Sequence, residues 1–437
     1  MNGDTKMDVN RLPDNERLKE IYGNDPDILL YQKERIQTAV KNYEEHFPPA
    51  DDLHIFSAAG RSEIGGNHTD HQCGHVLAAS LHIDSLAIVS AVPENVITLH
   101  SEGYDTYRIN LADLDVAEAE TGSTASLIRG VAAGFAKKGF SVGGFNAYVT
   151  SDVLGGSGLS SSASFESLIG VILSGLYNDG NVGTVDIAKI GQYAENHYLG
   201  KPCGLMDQMA CSVGGFVHID FATTGDGDLF FDDSYPKIER IDFDPKDYGY
   251  TLVITDTKAS HADLTDEYAS IPEEMKAVAR FFGKDVLSEV DEDEFVKKIP
   301  EIRKQTGDRA CVRAIHFFGE NKRVIVEAEA LREKDFDRFL RRFGASSRSS
   351  FEYLQNVYSV KDPRNQGVAL ALAISEQVLR TPLYGTARVH GGGFAGTIQT
   401  FVKNEFADEY IRAMNDLLGE GASRKYYIRK YGCVQIS

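Results

Sequence analysis

The chain has little that would take it out of the ordinary globular class. Its five cysteines (Cys73, Cys203, Cys211, Cys311, Cys433) are scattered and form no C-x-x-C pair. Neither a disulfide framework nor a zinc ribbon is expected, and a reducing cytoplasm is the compartment that suits them. No stretch approaches the roughly 18 apolar residues of a membrane span, and the opening residues hold no apolar run like the core of an export signal. Positive charge is short as well: 45 Lys and Arg stand against 65 Asp and Glu, a formal charge of -20. That field repels phosphate backbones and anionic lipid, so neither nucleic acid nor a membrane is expected as a partner. Internal repeats are absent too. The G-x-x-x-x-G-K-[ST] loop and the third glycine of G-x-G-x-x-G are missing from the one glycine-serine loop that invites comparison, which argues against a Walker-type NTPase and a Rossmann dinucleotide site.

What is present is enough chain for a large core: 437 residues, 42% of them hydrophobic. Length alone points to two or three domains. Residues 27–46 space their apolar side chains like a helix and stop at "FPPADDLH". Short β-branched runs then read as a sheet, with residues 60–75 lying between two of its strands. Helical spacing over 125–139, an alternating strand over 143–153 and a helix over 162–178 follow, then a helix over 185–200, a loop over 201–215 and an apolar strand over 216–221. Turn residues and acids crowd 222–237, the expected domain junction, which divides the chain into 1–235 and 236–437. Beyond it lie a buried strand over 250–257, mainly helix from about 265 to 380, a glycine turn leading into a strand over 387–402, and a helix over 406–419.

"LGGSGLSSSAS", Leu154–Ser164, sits between a strand and a helix. Glycines at 155, 156 and 158 would let a ligand approach the backbone, and the serines can cap the helix and donate hydroxyl hydrogen bonds. The unpaired amides of a helix start favour an anion without a lysine, which makes this loop a candidate phosphate cradle; the alternative is a plain Gly/Ser turn.

"GLSSSAS", "CGLMDQ" and "GGGFAG" stand in that order after "GRSEIGGNHTDHQCG", and "HADLTDEY" lies between the last two. Together they resemble the GHMP small-molecule kinases and, within them, the galactokinases. The resemblance implies an α+β, two-domain GHMP kinase fold, an N-terminal and a C-terminal α/β domain with the active site in the cleft between them, and ATP-dependent phosphorylation of the anomeric hydroxyl of galactose. Carried over by position, Asp207 is implied as the catalytic aspartate, working with Arg61. Asn67, His68, Asp70, Gly204 and Tyr268 are implied as sugar contacts, with Arg61 touching the sugar as well. Gly156, Gly158, Leu159, Ser160, Ser161, Ser162 and Ala163 are implied for ATP, and Ser162 with Glu195 for Mg2+. Gly391, Gly392 and Gly393 are weaker candidates for the cleft wall. The expected partners are a small-molecule sugar and ATP, and the expected state is a monomer or weak homodimer in the cytoplasm.

The chemistry needs these residue types for reasons independent of the family. Phosphoryl transfer requires an in-line hydroxyl, a cation on the β- and γ-phosphates and stabilisation of the moving charge. A serine and a glutamate suit Mg2+, which takes oxygen ligands and leans on substrate phosphates. An aspartate can orient the hydroxyl and take its proton, although a neighbouring arginine makes it a weaker base. His68, His71 and His75 could in principle ligate zinc, but no helical i, i+4 spacing aims them; a sugar site or a merely polar loop are the other readings. Cys203 and Cys211 read as packing. Asn67 replaces a family glutamate, which opens the sugar's C6 end to galacturonate; galactosamine is a further alternative substrate. Leu154, His390 and Ala395 also depart from the pattern. A catalytically silent sugar sensor, or a kinase for mevalonate or homoserine, are the competing functions.

Overall fold

The computed structural model describes residues 13–153, 158–222, 228–259 and 264–437. Leu154, Gly155 and Gly156 of the glycine-serine loop, and residues 261–263 of "HADLTDEY", lie outside the described residues.

The fold is α+β, built on two sheets. The first takes β1 (His54–Gly65), β2 (His75–Ala91), β3 (Val96–Ser101), β4 (Thr106–Asn110), β5 (Phe145–Ser151), β6 (Phe216–Asp220) and β7 (Lys237–Ile241). The second contains β8 (Tyr250–Asp256), β9 (Gly385–Val389), β10 (Thr397–Lys403) and β11 (Ser423–Tyr426), in the order β11-β8-β10-β9. The last strand, β12 (Cys433–Gln435), returns to the first sheet and pairs antiparallel with β1. The main path of that sheet runs β12-β1-β2-β5-β3-β4, with β6 on β2 and β7 on β6. The sheets are therefore not parted at 235/236, since β7 and β12 both follow that point.

Burial explains the layers. Helices Thr124–Lys137, Ser161–Tyr177 and Thr184–Ala194 pack Ile128, Phe135, Ile169 and Ile187 on one face of the first sheet. The leading helix Pro26–His46 covers the other face with Ile36, Val40 and Tyr43. A preceding helix, Asn15–Tyr22, was not signalled by the sequence; Asp14 caps it by accepting from the Arg17 amide at 2.7 Å. Leu77, Phe216, Leu252, Phe339 and Phe401 form one core that joins the two sheets. Asp84 on β2, fully buried, accepts from Arg35 at 2.6 Å, Arg429 at 2.9 Å and Tyr22 at 2.6 Å. That cluster ties the leading helices, β2 and the C-terminal segment together.

Two local features place the site. The β1–β2 register shifts between Ala59 and Arg61 and again between Glu63 and Gly65. Such bulges bend a strand and re-aim its side chains. The expected loop over 201–215 also contains a helix, Met206–Val213, because Met206, Met209 and Ala210 bury one of its faces. Its first turn carries Asp207.

Candidate active site

Asp207 and Arg61 meet in a two-point ion pair. Arg61 Nε lies 2.7 Å from Asp207 Oδ1 and Arg61 Nη2 lies 2.8 Å from Oδ2. The third arm of the guanidinium, Nη1, donates to the Gly158 carbonyl at 2.5 Å, which locks the pair to the glycine-serine loop. Ser160, in the left-handed region at φ 60°, donates its hydroxyl to Asp207 Oδ2 and opens the helix Ser161–Tyr177. Burial pushes the Asp207 carboxyl up, but the charge and hydrogen bonds of Arg61 and the Ser160 hydroxyl bring it below its ordinary value. The Asp207 side chain keeps 35% of its exposure while Arg61 keeps 8%, so it is the carboxylate that faces outward.

Asp70 follows the same loop. Its carboxylate sits against Gly204, where an added Cβ would overlap Oδ2 and displace the carboxylate. Burial and the neighbouring Asp207 push Asp70 up to about 6, against hydrogen bonds from the His71 and Asp70 amides. Tyr268 donates its hydroxyl to the Gly393 carbonyl at 2.9 Å and sets its ring edge-on to Phe394.

Asn67 and His68 bond within the protein. Asn67 is fully buried; its Nδ2 donates to Glu63 Oε1 at 3.0 Å and to the Gly391 carbonyl at 2.7 Å. Its Oδ1 accepts from Asn356 at 2.7 Å and Ser350 at 3.3 Å. Asn67 is expected from the sequence to contact a sugar; here its hydrogen-bonding capacity is taken up by protein partners. Both ring nitrogens of His68 are used too. One set of tautomers satisfies the chain: Gln72 Nε2 donates to His71 Nδ1 (3.2 Å), His71 Nε2 to His68 Nδ1 (3.3 Å), and His68 Nε2 to the Gly392 carbonyl (3.0 Å). Burial lowers His68 to about 4, so the ring is neutral near pH 7. His68 thus braces the glycine turn 391–393 instead of presenting a free nitrogen to a sugar. Among the described residues, no group of three or more His, Cys, Asp or Glu could hold a metal ion.

Ser162 and Glu195 come together from different elements. Ser162 Oγ donates to Glu195 Oε1 at 3.2 Å. Glu195 begins the π-helical turn Glu195–Leu199 that ends the helix Thr184–Ala194. It is held by Lys201 Nζ at 2.7 Å and Gln208 Nε2 at 2.8 Å. Gln208 also donates to Glu166 Oε2 at 3.1 Å, and burial followed by the Glu195 charge pushes Glu166 well above the ordinary carboxylate range. A nearly buried carboxylate beside a hydroxyl at a helix start is an oxygen donor set that fits Mg2+.

The comparisons with known proteins bear on the whole of this arrangement. The family profile "GHMP kinases N terminal domain" matches residues 126–215, and "Galactokinase galactose-binding signature" matches residues 41–91. The galactokinase of Actinobacillus pleuropneumoniae serotype 5b (strain L20) is 30% identical, over 87% of this chain and 93% of its own length. That of Bacillus subtilis (strain 168) is 27% identical over 88% and 95%. The chain belongs to the galactokinase family. The fold agrees: the Lactococcus lactis galactokinase complexed with galactose superposes with a TM-score of 0.76 at 20% identity, covering 92% of this chain and all of that one. A mevalonate kinase superposes less closely, with a TM-score of 0.58 at 16% identity.

Within the galactokinase frame, the structure brings Arg61, Gly158, Ser160 and Asp207 into direct contact and sets Asp70 against Gly204, while Ser162 and Glu195 meet each other. Leu159 is buried, and its carbonyl accepts from the Arg61 amide at 3.2 Å. Ala163 is buried and Ser161 starts the helix. Glu63, Lys201, Gln208 and Asn356 were missed. Lys201 had a visible signal, standing six residues after Glu195 across a glycine; Asn356 had none, because its partner lies 289 residues away.

Proposed function

We propose that this chain transfers the γ-phosphoryl group of ATP to the anomeric hydroxyl of galactose, giving galactose 1-phosphate. The observation that carries this reading is the Arg61–Asp207 pair, open on its carboxylate side, with Asp70 on one flank and the start of the Ser161–Tyr177 helix on the other. Asp207 would accept a hydrogen bond from the sugar hydroxyl and aim it in line. Held low by Arg61, it is a weak base and takes the proton late, which suits a loose transition state that needs positioning more than deprotonation. Asp70, with no side-chain partner among the described residues, would accept from neighbouring sugar hydroxyls. Unpaired amides at the helix start would hold phosphate oxygens. Ser162 and Glu195 would hold Mg2+, which would supply positive charge against the phosphates.

Galactose is favoured over galacturonate, because Asn67, the residue that opened the question, is buried behind the site. A silent sensor would have no use for Asp207, Ser162 and Glu195 in this arrangement. A monomer or weak homodimer in a reducing cytoplasm suits five free thiols, and no helix among the described residues is long and apolar enough to cross a membrane. The test is ADP release from ATP and Mg2+ with galactose, galactosamine and galacturonate side by side, with Asp207→Asn as the blank. Galactose should give the highest kcat/KM; a clear preference for galacturonate would overturn the substrate assignment.

A further inference from the structure

Away from the active site, the helix Phe336–Ser349, the C-terminal end of the helix Gly367–Leu379 and the edge strand β9 enclose a groove of about 730 Å3. Three exposed arginines line it: Arg341 and Arg348, seven residues apart and so on one side of their helix, and Arg380 opposite them at the helix C-cap. None makes a side-chain hydrogen bond or ion pair among the described residues. By contrast Arg338, on the same helix, is paired with both Glu329 and Glu333 at 2.8 Å. Glu376 is the single acidic residue of the lining. Three positive charges less one negative leave a local charge of +2, in a chain whose net formal charge is -20. Distant acids count for little here, because ordinary salt screens charges beyond about 8 Å.

The floor adds a backbone donor. β9 is the free edge of its sheet, and Ala387 faces Thr400 of β10. The His390 amide donates to the Thr397 carbonyl and the Lys403 amide to the Tyr384 carbonyl, which fixes the alternation of the ladder. Residues 386 and 388 then point their amides at β10, and Ala387 points its own away from it. Gly344 lets the helix come close to this edge, since a Cβ there would stand 3.1 Å from Thr386 Cγ2.

We propose that this groove is a second binding site, separate from the active site, for the phosphate group of a small metabolite or for free phosphate. Planar guanidiniums read phosphate oxygens in pairs, and three of them free of protein partners around one concavity form such a receptor. The proposal does not depend on which sugar is phosphorylated.

The test is calorimetric titration of the full chain, presaturated with galactose, ADP and Mg2+ to occupy the active site. Three probes are compared: glucose 6-phosphate, inorganic phosphate and glucose. Glucose 6-phosphate should bind once per chain, more weakly as salt is raised, and glucose not at all. The double variant Arg348→Ala, Arg380→Ala should weaken it at least about tenfold, one charged hydrogen bond being worth that much. Its melting temperature and ADP release should match the parent, because both side chains are exposed and unpaired. Equal binding of inorganic phosphate, lost in the same variant, means the site reads the phosphate alone; preference for glucose 6-phosphate means it also reads the sugar. Absence of binding to the parent, equal affinity in the double variant, or binding of glucose itself would overturn the proposal.

Discussion

Ten consecutive residues, Arg61 to Asp70, supply both groups proposed to face a substrate and groups that bond within the protein. Arg61 and Asp70 turn toward Asp207 and Gly204, and the Asp207 carboxylate they flank remains a third exposed. Asn67 and His68 turn inward, where Asn67 binds Glu63, Gly391, Ser350 and Asn356, and His68 closes a chain of neutral rings onto Gly392. The first group is charged, as chemistry requires, with Arg61 held by Asp207 and Gly158. The second is satisfied by protein partners, Asn67 fully buried and His68 partly so, as a joint between distant segments requires. A loop can match a family's binding signature while half of its polar residues serve to hold the other half.

The comparison breaks most sharply at Asp207. Asp207→Asn keeps the shape and removes the charge, so turnover should fall by about 10²- to 10⁴-fold, the usual size of a lost acid–base contribution. Galactose affinity, read by calorimetry, should change little. If turnover survives, the outward group is not the catalytic one.

The inward group should answer in stability. Asn67→Ala leaves Glu63 and Asn356 short of partners in a buried place, and each unsatisfied group costs about 1–3 kcal/mol. Urea unfolding should show a loss of about 2–4 kcal/mol, while the order of preference among sugars stays the same. Asn67→Glu, which restores the family residue, should be at least as destabilising, because it sets a second carboxylate against Glu63. Burial already pushes Glu63 up to about 7 despite Arg388 and Arg61. A switch in sugar preference without a loss of stability would move Asn67 into the outward group.

Asp70 gives a pH signature. Its folded pKa, about 6, stands above the ordinary 3.8. Its contribution to stability is therefore fully present below about pH 3.8 and is lost as pH rises through about 6. Asp70→Asn should accordingly be more stable than the parent at about pH 8, and this gain should shrink on acidification. In the parent, where the ionised carboxylate accepts sugar hydroxyls, the KM for galactose should rise as pH falls below about 6, and Asp70→Asn should lose that dependence. The smallest effect belongs to Tyr268→Phe, which deletes one hydroxyl bond to Gly393. About 1 kcal/mol of stability should go, with kcat within a few-fold of the parent.

Much of this was legible because it is local. The strand, glycine-serine loop and helix around residues 145–177 follow from periodicity, and Asp207, Gly204 and Asp70 follow from short motifs. Besides the short helix Asn15–Tyr22, three things were not legible. Met206–Val213 is too short for its periodicity to stand out from a loop. The return of β12 to β1 depends on pairing across almost the whole chain. The direction of Asn67 is set by Asn356 and Glu63, one 289 residues away and the other displaced by a bulge, and neither leaves a mark on the motif itself.

The most direct test of the account follows phosphorus through the reaction. With ATP, Mg2+ and galactose, ³¹P NMR should show a sugar phosphate resonance split by the anomeric proton in the parent. Asp207→Asn should show none over the same interval, although galactose still raises its melting temperature. The same resonance growing at the parental rate in Asp207→Asn, or only free phosphate appearing in the parent, would contradict it.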